Sequence, residues 1–192
     1  MLAHSLKRIV EPTQEPLTLF EVKRQLNVIA DDEDTLLETY RQAARELVEA
    51  HANRALLTQT YRLKVHDWPL ESLQLPRPPL VSVTSIEYYD RDGVLQTLST
   101  DNYQVDSDRE PGVIWQADDT DWPETNGAAN GITVTYVAGY ATTGAVPARA
   151  KQAMLVLIGH WYRVREAVGQ VGDEIALTFT SLCRSLKPGD YP

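Results

Sequence analysis

The stretch Arg54-Ala55-Leu56-Leu57-Thr58-Gln59-Thr60-Tyr61 marks a change of period in this chain. Upstream of it, Leu36, Leu37, Tyr40, Ala43, Ala44, Leu47, Val48 and His51 recur at three- and four-residue steps. That spacing puts one apolar stripe along a helix running from about Asp32 to Asn53. Downstream, Tyr61, Leu63 and Val65 alternate with Arg62, Lys64 and His66, the two-residue period of a half-buried strand. A second stretch, Leu75-Pro76-Arg77-Pro78-Pro79-Leu80, is a proline-stiffened corner that feeds Val81, Val83, Ile86 and Tyr88. A β-rich block therefore begins where the helix stops, and a helical period returns only after Pro147.

Working outward, Thr18 and Glu21 have the spacing of a capping box, which predicts a short helix from Leu19 to about Leu26. Asp31, Asp32, Glu33 and Asp34 place acids at the positive end of the next helix dipole. Residues 1–15 carry no clear period and read as an N-terminal arm. Beyond the corner, Asp92-Gly93 predicts a tight hairpin turn into Val94-Leu95. Tyr103-Gln104-Val105 and Val113-Ile114-Trp115 predict short strands. Asp118 to Gly131 is polar and reads as a surface loop, and Ile132 to Val137 as a closing strand ended by Gly139. Pro147 suits the first turn of a helix, and Ala150, Ala153, Met154, Leu157, Ile158 and Trp161 give its stripe.

After Gly169 the chain loses its period. Val171, Ile175, Leu177 and Phe179 alternate loosely, followed by Leu182 and Leu186. Apolar residues outside any periodic element predict an extended C-terminal arm that docks on a partner. The expected class is α+β: a helical body from 16–55 and 146–166, a β-rich module inserted at 56–141, an N-terminal arm at 1–15 and a docking arm at 167–192.

Charge and composition narrow the function. Acids outnumber bases 27 to 18, a net charge of −9, and the bases are scattered, which argues against tight or sequence-specific DNA binding. An acidic wall does suit DNA that slides past without sticking. No apolar run approaches the roughly 20 residues that span a bilayer, and Met1 to Arg8 lacks the apolar core of a signal peptide. The single cysteine, Cys183, excludes an internal disulfide or a thiolate zinc cage. A cytoplasmic setting is the simplest expectation.

The residues that could carry chemistry form no constellation. His4, His51, His66 and His160 lie far apart, with no His-x-x-x-His or Glu-x-x-His pair. Asp118, Asp119 and Asp121 lack the glycine and glutamate of a calcium loop. Cys183 has only Arg184 as a neighbouring base and reads as a semi-buried structural thiol. Gly169-Gln170-Val171-Gly172 lacks the lysine that follows a phosphate loop. The expectation is no enzyme, no cofactor and no metal. Trp68, Trp115 and Trp122 allow an alternative, a carbohydrate-binding module with indole stacking platforms, although their places beside prolines and at strand ends suit edge packing equally.

In order along the chain, several segments resemble the gp6-like head-tail connector (adaptor) proteins of tailed bacteriophages, more narrowly the phiE125 gp8-type branch. They are Glu15 to Thr18, Asp31 to Asp34, Ala43 to Glu49, Arg54 to Thr60, the Leu75 to Leu80 corner, Tyr88 to Gly93, Val134 to Tyr140 and Val146-Pro147. The resemblance implies a structural ring beneath the portal, of twelve copies, that extends the DNA channel and joins the capsid to the tail. Its partners would be the portal protein, a stopper or tail-completion protein, other copies of itself, and DNA passing without specific binding, with no membrane. Its place would be the virion neck, assembled in the host cytoplasm. Leu177, Phe179, Leu182 and Leu186 would be portal-docking anchors. Leu36, Tyr40, Leu47, Met154, Leu157 and Trp161 would build the ring body and supply subunit contacts. Arg77, Asp118, Asp119 and Asp121 are candidate tail-side contacts. Another virion part, such as a stopper or tail-completion protein, is the related alternative.

Overall fold

The computed structural model describes residues 4–69, 72–164 and 173–189. The fold is α+β with antiparallel sheets, and the chain forms two compact units. Thr13–Leu57 and Tyr140–Pro192 make a helical unit; Met1–Pro12 and Thr58–Gly139 make a β unit.

In the helical unit, α1 (Leu19–Leu26) starts at the reciprocal cap expected from sequence. The Thr18 hydroxyl accepts from the Glu21 amide at 3.2 Å, and the Glu21 carboxylate accepts from the Thr18 amide at 2.6 Å. Two orphan amides are thereby satisfied, worth about 1 kcal/mol for the cap residue. Asn27 ends the helix in the left-handed conformation. Lys23 then reaches both Asp31 and Asp34 at 2.6 Å, closing the turn into α2 (Asp34–Ala52). The acids before α2 thus grip a lysine as well as face a dipole.

Leu37, Ala44, Val48 and Ala52 of α2 share one core with Ala150, Ala153, Met154 and Ile158 of α3 (Ala148–Arg163). The extended C-terminal arm is corrected: Asp173–Arg184 is a helix, α4. Phe179, Cys183 and Leu186 stand at helical spacing and are buried in that same core, with the His51 ring edge-on to Phe179 at 4.9 Å. The loose alternation of Leu177 with Phe179 matched a strand by accident; burial follows the four-residue step. Burial also pushes the Cys183 thiol up to about 11. Arg165 to Gly172, including the rejected glycine loop, lies outside the described residues.

A buried ionic cluster organises this unit. Arg45 is almost fully enclosed, with Nε 2.9 Å from Glu15 and Nη1 3.1 Å from Glu49. The second Glu49 oxygen accepts the Leu56 amide at 2.8 Å, at the exit toward the β unit. Nearby, Arg54 donates to the Leu186 carbonyl at 3.0 Å and to the Tyr140 hydroxyl at 2.8 Å. At Glu15 burial outweighs the Arg45 and Arg41 guanidiniums and raises the carboxyl pKa, with Glu49 adding repulsion. At Arg45 burial opposes the charge most strongly, yet its carboxylate partners together win and hold the guanidinium up.

The β unit holds a five-stranded antiparallel sheet and a three-stranded one. The N-terminal arm is corrected as well: His4–Val10 is an edge strand, β1, paired with β2 (Gln59–Val65) and bulged between Arg8 and Val10. The sheet continues through β8 (Ile132–Ala138) and β4 (Leu80–Tyr89) to β5 (Leu95–Thr97). Opposed pairs Tyr61–Tyr136, Leu63–Val134 and Val65–Ile132 line its buried face. The stacked Tyr136 donates its hydroxyl to the Pro76 carbonyl at 2.7 Å, fastening the proline corner to the central strand. At the β4–β5 hairpin, Asp90 accepts from the Asp92 and Val94 amides around Gly93, which takes a positive φ of 78°. The second sheet orders β3 (Ser72–Leu75), β7 (Gly112–Gln116) and β6 (Tyr103–Asp106). The two sheets meet where Gly112 faces Leu80: a Cβ on Gly112 would sit 2.6 Å from two Leu80 side-chain carbons.

Two stability measurements follow. Arg45→Met leaves the buried Glu49 and the half-buried Glu15 without the guanidinium between them, so denaturant unfolding should show a loss of about 3–5 kcal/mol; an unchanged midpoint would mean that water relieves the cluster. Gly112→Ala should cost about 1–3 kcal/mol by overpacking, and the double variant with Leu80→Ala should cost less than the two single changes added. Strict additivity would deny the contact.

Candidate interaction surfaces

Among the described residues no group of three or more His, Cys, Asp or Glu is placed to hold a metal ion. No helix there is long and apolar enough to cross a membrane. His4 stands in β1, His51 in α2 and His160 in α3, while His66 follows β2. Asp118, Asp119 and Asp121 are exposed on the long loop before β8. Cys183, buried and held above the usual thiol range, is a poor nucleophile.

The indole platforms are occupied. Trp68 and Trp122 stack face to face, with centroids 4.6 Å apart and planes 1° from parallel. Tyr88 packs edge-on to Trp68, whose Nε1 donates to the Pro123 carbonyl at 2.8 Å. These contacts pin the acidic loop to the sheet. Trp115 stands apart on β7, 37% exposed. The edge-packing reading of Trp68 and Trp122 holds.

Many of the residues expected to contact partners are spent inside the chain. Met154 and Leu157 are buried in the helical core, while Tyr40, Leu47 and Trp161 pack against it. Tyr40 and Trp161 lie 5.8 Å apart between ring centroids. Leu36 is half-buried on α2. Of the four C-terminal apolar residues, Phe179 and Leu186 are core and Leu182 is half-buried against it. Leu177 alone is turned out, 69% exposed. Arg77 is half-buried at the proline corner with a positive φ of 66°.

Surfaces that sequence reasoning passed over lie elsewhere. On α1, Phe20 is 68% exposed, and Ile29 beyond it is 94% exposed. Leu19, Phe20, Val28 and Ile29 line an open groove with Lys23, Arg24 and Asp31 on its rim. The Arg24 guanidinium lies over the Phe20 ring, 5.7 Å from its centroid. Tyr89, Val94 and Leu95 form a second exposed apolar group at the β4–β5 hairpin. The available signal was an apolar residue outside the stripe: Phe20 follows Leu19 with no partner one turn away, and Ile29 sits in a loop.

Comparison with known proteins gives these surfaces a setting. No curated protein matches the chain in sequence. The solved neck of an empty GTA particle, computed with C6 symmetry, shares 19% identity with a TM-score of 0.80, covering 98% of this chain and 97% of that one. The virion of a native gene transfer agent (GTA) particle gives 21% identity and a TM-score of 0.79 over 97% of each chain. The neck of a native GTA particle, computed with C12 symmetry, gives 20% and 0.74, over 98% of this chain and 97% of that one. At these identities the likeness speaks for the fold. The family description comes from sequence: residues 16–103 match the model of the phage gp6-like head-tail connector protein family.

Proposed function

We propose that this chain is a structural head-tail connector (adaptor) of a phage-like particle, forming a ring beneath the portal in the virion neck. The observation that carries the reading is the connector-family match over residues 16–103, joined to a fold shared over nearly the whole chain with proteins in neck and virion structures. The ring extends the DNA channel and joins the capsid to the tail, with a portal protein on one side and a stopper or tail-completion protein on the other. Twelve copies satisfy both symmetries, C6 and C12, used for the similar necks.

Physical features support the role. A net charge of −9 keeps passing DNA from adhering. Exposed apolar residues on the helical unit and at the β4–β5 hairpin supply interfaces, and ring symmetry multiplies each weak contact. Nothing in the role requires catalysis. Arg77 at the proline corner and the Asp118, Asp119 and Asp121 loop are the proposed tail-side contacts.

The test is negative-stain microscopy of particles from a lysate in which this gene carries an early stop codon. DNA-filled or leaking heads without tails are the expected result. Normally tailed particles would overturn the reading.

A further inference from the structure

We infer that the outer face of the five-stranded sheet, over β1, β2 and β8, is a weak contact surface for the phosphate backbone of duplex DNA, carried by Lys7, Arg62 and Lys64. The inference deepens the conduit reading and rests on it. Strand register sets the residues in two neighbouring rows: one runs Lys7, Arg62, Thr135, and the next Lys64, Thr133, Glu87. The three cations are exposed, and the two threonines and Glu87 are half-buried. The alternate residues of β2, Tyr61, Leu63 and Val65, are buried on the opposite face. Bases that look scattered along the chain thus meet through the sheet.

Fold stability does not account for the strip. A lysine on an edge strand guards against stray pairing, which suits Lys7 on β1, but β2 is paired on both sides. Lys7 and Arg62 stand directly opposite one another, and like charges so placed are destabilising. Among the described residues no side-chain hydrogen bond or ion pair engages any of the three cations. Glu87, the one carboxylate in the two rows, lies two strands from Lys64, roughly 10 Å away. Past the strand ends, Glu11 is paired with Arg8 at 2.8 Å, and Asp67 accepts the Trp68 amide.

The pattern suits a repeating polyanion. Arg62 and Lys64 repeat along β2 at about 6.7 Å, and threonine hydroxyls beside them can donate to phosphate oxygens as the cations do. A protein patch would need carboxylates matched to each cation. A duplex offers phosphates at every step, and three such contacts give binding that ignores sequence, weakens with salt and permits sliding. The net charge of −9 keeps that contact weak.

The test is fluorescence anisotropy of a short labelled duplex titrated with the full-length chain at stepped salt. Weak binding is expected, alike for duplexes of different sequence, with log affinity falling against log salt at a slope of about −2 to −3. Lys7→Gln, Arg62→Gln and Lys64→Gln should each flatten the slope by about one, and the triple variant should lose the binding. Its melting temperature should be no lower, because the Lys7–Arg62 repulsion goes too. Arg149→Gln, which removes an exposed cation from α3, should change nothing. No duplex binding at low salt, or equal binding by the triple variant, would overturn the inference. So would poly-glutamate held by the three cations when the duplex is not, which would assign the strip to an acidic protein. The two readings fail separately. Tail-less particles from the stop-codon lysate with no duplex binding would leave the connector role and remove this contact. Duplex binding that the triple variant loses, alongside normally tailed particles, would do the reverse.

Discussion

One guanidinium group, that of Arg45, does more than any other side chain to define the helical unit. It draws Glu15 and Glu49 into the interior, and through Glu49 it fixes the Leu56 amide. Arg54, two residues upstream, fastens Tyr140 and the Leu186 carbonyl. The chain passes between its two units near residues 12, 57 and 139. Glu15, Leu56 and Tyr140 stand just inside the helical unit at those three places. Two arginines thus anchor every passage on the helical side, together with the end of the C-terminal segment. Such a cluster is weak as a source of net stability, because desolvation offsets much of the attraction. Its effect is on specificity: each arm has one place to go, and a misplaced arm strands a buried charge.

The core leaves little apolar surface of α2 and α3 for partners, and that shapes the functional account. The large apolar side chains left exposed include Phe20 and Ile29 by α1, Leu177 on α4, and Tyr89, Val94 and Leu95 at the hairpin. A protein that acts by assembly presents this distribution. The net charge of −9 accords with a conduit that DNA passes without adhering.

Much of the fold was legible because local signals and tertiary structure agree. The capping box at Thr18 and Glu21, the stripe of α2, the alternation in β2 and β8, and the Asp92-Gly93 turn are each enforced within a few residues. Three features were not legible, for related reasons. β1 pairs on one side only, and its exposed and half-buried alternation lasts only from Ser5 to Arg8 before the bulge breaks it, so its period is too short to read until β2 is known. α4 buries Phe179, Cys183 and Leu186, yet Leu177 and Phe179 two apart mimic a strand. Arg45 stood within a motif of the resemblance, but a charged residue gives no sign in sequence that it is enclosed until Glu15 is brought beside it from 30 residues away. Several of the candidate contacts, Met154, Leu157, Phe179 and Leu186, are buried for a related reason. Sequence periodicity marks what is apolar on a helix face, and the core had first claim on those faces.

The central claim is that this chain occupies the joint between head and tail as a ring. Cryo-electron microscopy of the purified particle's neck tests it most directly. The account predicts twelve copies of this fold encircling the channel between portal and tail. A neck whose density between portal and tail is filled by a different chain, or particles that lack this one, would contradict it.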